Sequence, residues 1–298
     1  MLSRRAFLRW LGGLALAGSA SGAYAGWVEP AWRLRVQRWA LTPAGWPAGL
    51  RLRLAVLADI HIGPPWMTPD RLSRIVARTN NLGADIILLL GDYEAGHRFV
   101  QRKIPLAIVA QRLAGLNAPL GVWAVLGNHD WWHDATAQAN RQFPPEMGRE
   151  LHRAGIPILE NRAVRLATPQ GGFWLAGLGD QIAFPPRGGK GWAGVDDLPG
   201  TLAQITDEAP VILMAHEPDI FPRVPKRVAL TLSGHTHGGQ LRLFGWSPVV
   251  PSAFANRYAW GHVAEAGRHL IVSGGLGCSI IPVRLGVPPE ITLVELGG

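Results

Sequence analysis

The 298-residue chain is predicted to adopt an α/β fold whose second half is rich in strands. Apolar runs of strand length alternate with stretches of helical spacing between residues 50 and 159, and strand-like runs dominate after Ala163. Five of these runs end in the same kind of cluster, an Asp, Asn or His directly after the apolar segment. That third observation ties the fold to chemistry, because open α/β sheets bind ligands beyond the carboxyl ends of their strands.

In chain order, Leu50 to Leu57 alternates and then turns apolar, Thr68 to Leu82 has helical spacing, and Ile86 to Leu90 is a continuous apolar run. Arg102 to Leu116 repeats the helical spacing, Gly121 to Leu126 is apolar, and Pro145 to Ala154 predicts a helix before a strand at Ile156 to Leu159. Strands are then expected at Phe173 to Leu178, Val211 to Met214, Val228 to Leu232, Gln240 to Phe244, His269 to Val272 and Ile291 to Glu295, with a short helix around Val195 to Ile205. No internal repeat or long linker separates domains, so residues 50–298 are expected to form one domain.

Composition supports a folded core: apolar residues make up 48% and charged residues 17%, which excludes a disordered chain. The formal charge is +8, nearly all from arginine, since Lys103, Lys190 and Lys226 are the only lysines. The basic residues are dispersed, which argues against nucleic acid as a partner. The single cysteine, Cys278, excludes an intramolecular disulfide and any Cys-rich zinc or iron–sulfur site.

Ser3 to Arg9 reads S-R-R-A-F-L-R and precedes an uncharged stretch from Trp10 to Val28 rich in Leu, Ala and Gly. This resembles a twin-arginine export signal, with Ala23-Tyr24-Ala25 as a cleavage site after Ala25. The expectation is therefore a leader at residues 1–25, the twin-arginine export machinery as a partner, and a periplasmic or outer-face location. An uncleaved N-terminal membrane anchor is the alternative. Residues 26–49, with Trp27, Trp32, Trp39 and Trp46 among Arg and Pro, are expected to be an arm or lead-in strand that packs on the core, or else a surface resting on a membrane.

The strand-end clusters are Asp59-Ile60-His61, Gly91-Asp92, Gly127-Asn128-His129-Asp130, Met214-Ala215-His216 and Ser233-Gly234-His235-Thr236-His237. Asp, Asn and His converging without Cys describe a site for a hard-to-borderline divalent cation. Five of the ten histidines lie at these strand ends, while His97, His133, His152, His262 and His269 fall outside the pattern.

In order and completeness, D-x-H, G-D, G-N-H-D, H and G-H-x-H resemble the calcineurin-like metallophosphoesterase superfamily. Ser233 to Gln240 and Gly275 to Leu293 are similar to its exported or membrane-attached bacterial phosphodiesterase branch. The resemblance implies a two-sheet αββα sandwich and a phosphoester hydrolase with two divalent ions, Mn, Fe or Zn. Asp59, His61 and His237 are then expected to hold one ion and Asn128, His216 and His235 the other, with Asp92 bridging. Hydroxide held between two cations would attack a phosphodiester or diphosphate of an envelope lipid or small diester, with His129 as general acid. A phosphomonoesterase and a non-catalytic envelope-binding protein are the rival readings.

One departure from the pattern concerns the acid that orients the catalytic histidine in the best-known phosphatases, where this chain has Ala95. Glu94 or Asp130 is expected to take that role, unless His129 acts without it. Trp66, Trp131, Trp132 and His133, with Phe184 and Trp192, are expected to form a rim at the substrate mouth, against the plainer reading that the tryptophans cover the core.

Overall fold

The computed structural model describes residues 4, 10, 18–186, 188 and 191–298. The twin-arginine motif and most of the expected leader lie outside the described residues. Among the described residues, no helix is long and apolar enough to cross a membrane.

The strands in chain order are β1 (Arg35–Leu41), β2 (Leu52–Leu57), β3 (Ile86–Leu89), β4 (Val122–Ala124), β5 (Arg162–Thr168), β6 (Gly171–Gly177), β7 (Val211–Met214), β8 (Val228–Ser233), β9 (Gly261–Glu265), β10 (Arg268–Val272) and β11 (Glu290–Leu296). They form two mixed sheets, one ordered β1-β11-β2-β3-β4 and the other β5-β6-β7-β8-β10-β9. The period of two along each strand divides the apolar side chains between layers. Leu54 and Val56 of β2 meet Phe173, Ile212 and Leu230 between the sheets. Ala55 and Leu57, pointing the other way, pack with Leu72, Ile75, Val109 and Leu151 under the helices. On the outer face of the second sheet, Trp174, Leu213 and Leu270 are covered by Leu198, Ile220, Phe221 and Tyr258. The result is the αββα sandwich.

The main helix, Pro69–Asn80, starts where the Thr68 side chain accepts a hydrogen bond from the Arg71 amide at 3.1 Å, with Pro69 in its first turn. Its neighbours Leu106–Leu113 and Glu146–Arg153 cover the same sheet face. The first of these is shorter than the expected 102–116, because Pro105 sets its start.

Several expectations are corrected. Gln240 to Phe244 is not a strand; it forms only isolated bridges, and both of its ends turn to positive φ, 56° at Gln240 and 52° at Phe244. Ile156 to Leu159 reduces to one bridge between Ile158 and Ala124. The helix around Val195 to Ile205 spans only Leu198–Leu202. β5 and β9 present no apolar run in the sequence, because they alternate exposed with half-buried residues and only Gly261 is fully buried. Residues 35–41 form the edge strand β1, paired in parallel with β11 and anchored by Arg35, whose guanidinium meets Glu290 at 2.7 Å.

Candidate metal centre

Parallel strands deliver the candidate ligands. β2 ends just before Asp59 and His61, β3 before Asp92, β4 before Asn128, β7 before His216, and β8 before His235 and His237. The backbone turns sharply at most of these positions: φ is 51° at Asp59, 42° at His61, 59° at Asp92, 68° at His235 and 53° at His237. Left-handed backbone at a non-glycine residue costs about 1–3 kcal/mol. Five such residues at one place show a scaffold that spends stability to aim side chains inward. Gly127 is required by the same crowding, since a Cβ there would lie 2.4 Å from Asp92 Oδ1 and 2.7 Å from His216 Nε2.

Three overlapping groups result, Asp59 with His61 and His237, His61 with Asp92 and His129, and Asp92 with His216 and His235, each with ligand atoms within 4.8 Å of one another. Asn128 joins them through Oδ1, 2.8 Å from His235 Nδ1. The structure therefore brings all seven expected ligands together.

Hydrogen bonds fix which ring nitrogens face inward. His61 Nδ1 donates to the Glu94 carbonyl at 3.0 Å and His216 Nδ1 to the Leu90 carbonyl at 2.6 Å. Whenever Nε2 carries no proton, each ring then turns its Nε2 lone pair into the site. Asp92 Oδ2 lies 3.4 Å from His61 Nε2 and 3.3 Å from His216 Nε2, so a carboxylate oxygen faces two other acceptors. Asp59 Oδ2 and His216 Nε2 are buried without a hydrogen-bond partner. Such a set of acceptors is satisfied by cations, and the residues present fit a divalent metal. On the far side, Arg284 donates to His237 Nδ1 at 3.1 Å, which directs the His237 proton to Nε2 and toward His61 Nε2, 3.1 Å away. A cation bound at Nε2 needs the neutral ring's proton to move to Nδ1, which requires the Arg284 contact to give.

The electrostatics agree. Burial holds His61 down at about 3 and His129 at about 4, so both rings are neutral at pH 7, the form that ligates or accepts a proton. Burial, reinforced by the Asp92 charge and opposed by His216, pushes the Asp59 carboxyl up to about 7. Burial would also raise Asp92, but His216, His129 and His61 around it hold it well below the usual carboxylate range. His216 moves the other way: burial disfavours its charge, but Asp92 draws it well above its ordinary value. A proton on His216 thus answers the same excess of acceptors that a cation would.

Asp130 does not take the expected orienting role. Its carboxylate accepts from the backbone amides of Asp92 (2.9 Å), Tyr93 (3.0 Å) and Gly127 (2.9 Å), which locks two strand ends together. His129 sits with its amide on Asp92 Oδ1 at 2.9 Å and its ring Nε2 3.2 Å from Ser279 Oγ.

A groove of about 400 Å³ opens directly on the cluster, lined by His129, His235 and His237 at its floor and by Trp132, Leu241, Val249, Ile280 and Ile281 on its walls. Of the expected rim, Trp132 lines this groove and stacks on the half-exposed Trp192 with ring centroids 5.1 Å apart. Trp131 and Phe184 are buried in the core and do not reach the mouth. Trp66 packs edge-on against Trp27 and His97 and donates to the Gly26 carbonyl. His133 lies behind His129.

Sequence reading gave no role to Arg284, Gln240 and Ser279. Arg284, fully buried, also donates to the carbonyls of Gly277, Gly274 and Val287. Gln240 ties two loops by donating to the Ile281 and Val283 carbonyls and accepting from the Ser279 amide. The sequence signal was present in the end of the Ser233 to Gln240 segment and in Gly275 to Leu293, outside any metal-ligand spacing.

A profile of the family described as calcineurin-like phosphoesterase matches residues 52–239, a span that includes all seven expected ligands. The chain belongs to that family. This phosphoesterase is 31% identical to an uncharacterized metallophosphoesterase of Aquifex aeolicus over 89% of this chain and 92% of the other. It is also 31% identical to the phosphodiesterase YaeI of Escherichia coli, over 99% of this chain and all of that one. The uncharacterized metallophosphoesterase YkuE of Bacillus subtilis is 29% identical, with 99% and 98% covered. The protein is thus a metallophosphoesterase, a hydrolase of phosphoric esters, with clustered His and Asp groups for its metal.

Proposed function

We propose that this metallophosphoesterase is an exported phosphodiesterase that cleaves a phosphodiester or diphosphate bond adjoining an apolar group, as in an envelope lipid. The observation that carries the reading is contiguity: the groove whose floor is the ligand cluster has walls of Leu241, Val249, Ile280 and Ile281. A substrate whose phosphate meets the cluster must set its neighbouring group against those walls, and burying apolar surface there contributes about 25 cal/mol per Å².

Asp59, His61 and His237 would hold one divalent cation and Asn128, His216 and His235 the second, with Asp92 between them. When bound, the pair neutralises phosphate oxygens and acidifies a water molecule, and the oxygen–nitrogen donor set suits Mn, Fe or Zn. His129 Nε2 faces the groove, where it can take a proton from solvent and deliver it to the leaving oxygen as the bond to phosphorus breaks. Beside the mouth, Phe244, Trp246, Val249 and Ile280 are exposed, which supports contact with a lipid surface. Export is supported by Ser3 to Arg9, with residues 1–25 as the leader and 50–298 as the catalytic domain; Arg4→Lys with Arg5→Lys should retain a tagged chain in the cytoplasm.

The test is hydrolysis by chelator-stripped protein after Mn²⁺, Fe²⁺ or Zn²⁺ is restored. Bis(p-nitrophenyl) phosphate should be turned over faster than p-nitrophenyl phosphate, and a long-chain diacyl phosphodiester should show a lower KM than its short-chain analogue. Preference for the monoester would establish a phosphomonoesterase instead. No turnover of any substrate with two ions bound per chain would establish a non-catalytic metal protein.

A further inference from the structure

We propose that His133, set in place by Glu94, is the positioning residue for His129; the inference rests on the reading of His129 as the proton donor to the leaving group. Two other candidates for that role are occupied or inert. Ala95 has no polar atom, and Asp130 is taken up by three backbone amides. The ring nitrogen of His129 that points away from the groove, Nδ1, lies 3.3 Å from His133 Nε2. Positions 129 and 133 fall one helical turn apart, so the two rings share a face, with the His133 amide on the His129 carbonyl at 3.1 Å.

Behind His133 stands a carboxylate. Glu94 Oε2 stands 3.6 Å from His133 Nδ1, a buried nitrogen with no hydrogen-bond partner, while Lys103 Nζ holds the other oxygen at 3.1 Å. A carboxylate only accepts, so the His133 nitrogen that faces it, Nδ1, carries the hydrogen. His133 Nε2 is then an acceptor, and His129 Nδ1 must be the donor to it. This fixes the His129 ring with Nε2 toward the groove and Ser279. The neutral Nδ1–H ring therefore takes up a proton at Nε2 from solvent and passes it to the leaving oxygen, which keeps the electron pair of the broken bond to phosphorus. The ring then returns to its neutral Nδ1–H form. Space for this arrangement is specific: a Cβ on Gly96 would fall 2.2 Å from His133 Nε2, so only glycine there lets the ring sit between Glu94 and His129.

The experiment compares His133→Phe, which keeps a ring and loses both nitrogens, with His133→Gln, whose amide oxygen can accept in place of Nε2, and with Glu94→Gln. Each metal-loaded variant is assayed on two diesters that differ only in the leaving group, p-nitrophenol and a simple alcohol. The alcohol leaves as a strong base and needs the proton; p-nitrophenolate does not. For His133→Phe the alkyl-to-aryl ratio of kcat should fall about 30-fold, with a smaller fall for Glu94→Gln and recovery of most of it in His133→Gln. Long-range proton–nitrogen spectra of the zinc-loaded protein should show His129 as the Nδ1–H tautomer, and as a mixture in His133→Phe. Equal losses on both leaving groups, or a His129 tautomer indifferent to His133, would overturn the proposal. Absence of diester turnover in the unmodified protein would sink the reading of His129 instead, and the spectra would still decide the hydrogen bond.

Discussion

In the ligand cluster that forms and underlies the floor of the groove, Asp59, Asp92, His61, His216 and His237 are each no more than 2% exposed, and every one of them except His237 is held by a backbone group within 3.0 Å. At its lip Phe244, Trp246, Val249 and Ile280 are 59% exposed or more, and their loops are joined mainly through Gln240 at the base. The floor is preorganised because charge stabilisation depends steeply on distance and on the exclusion of water. The lip has no such demand. Apolar contact is non-directional, so a surface that adapts loses little, and the two regions can vary independently.

That division is open to direct attack. The largest expected effect is at the floor: Asp92→Asn should lower kcat on the order of 10³-fold and reduce bound metal below two ions per chain by elemental analysis. A mutant with full metal and full rate would show that the floor is less exacting than its geometry. Next comes the support behind it, where Arg284→Gln removes the donor that ties the Gly274, Gly277 and Val287 carbonyls together beside His237 and should weaken metal affinity about 10- to 100-fold in a chelator competition. At the lip, Phe244→Ser with Trp246→Ser should raise KM for a long-chain diester about tenfold, while kcat on bis(p-nitrophenyl) phosphate stays within about twofold. An equal effect on both substrates would erase the distinction between lip and floor.

The smallest effect lies away from the groove, at Glu160. Burial, aided by Asp130 and Glu217, raises Glu160 to about 8, and its Oε2 has no hydrogen-bond partner. The native state thus keeps a proton that the unfolded chain releases, so stability falls as pH rises from about 4.5 to about 8. Glu160→Gln should remove that slope, leaving Tm unchanged near pH 4.5 relative to the parent and about 3 °C higher at pH 8 by calorimetry. A constant difference at all pH values would mean that the carboxyl titrates normally.

The same contrast governs what could be read from the sequence. Asp59, Asp92, Asn128, His216 and His235 were legible because each follows an apolar strand, and parallel strands bring their carboxyl ends to one edge. Asp130 sits in the same motif, but its role was not legible: a carboxylate on three amides and one beside a histidine look identical in sequence. Arg284 was hidden because its partners are carbonyls made available by loops and a histidine 47 positions earlier. Trp131 and Trp132 are adjacent, yet one is core and the other wall, since a helical step of one residue turns a side chain by about 100°. Gln240 to Phe244 has strand composition without a partner strand, and composition alone does not report a missing neighbour.

The clustered donors do not come from one sheet. Asp59, His61, Asp92 and Asn128 follow strands of the first, and His216, His235 and His237 follow strands of the second. The contacts that matter, Asn128 to His235 at 2.8 Å and Asp92 to His216 at 3.3 Å, cross the gap between them. The apolar layer of Leu54, Val56, Phe173, Ile212 and Leu230 is therefore a caliper as well as a core: its thickness sets the span of the jaws above it. A methylene added or removed there, far from any ligand, resets the opening by a fraction of an ångström. Selection on the reaction then reaches residues that never touch the substrate.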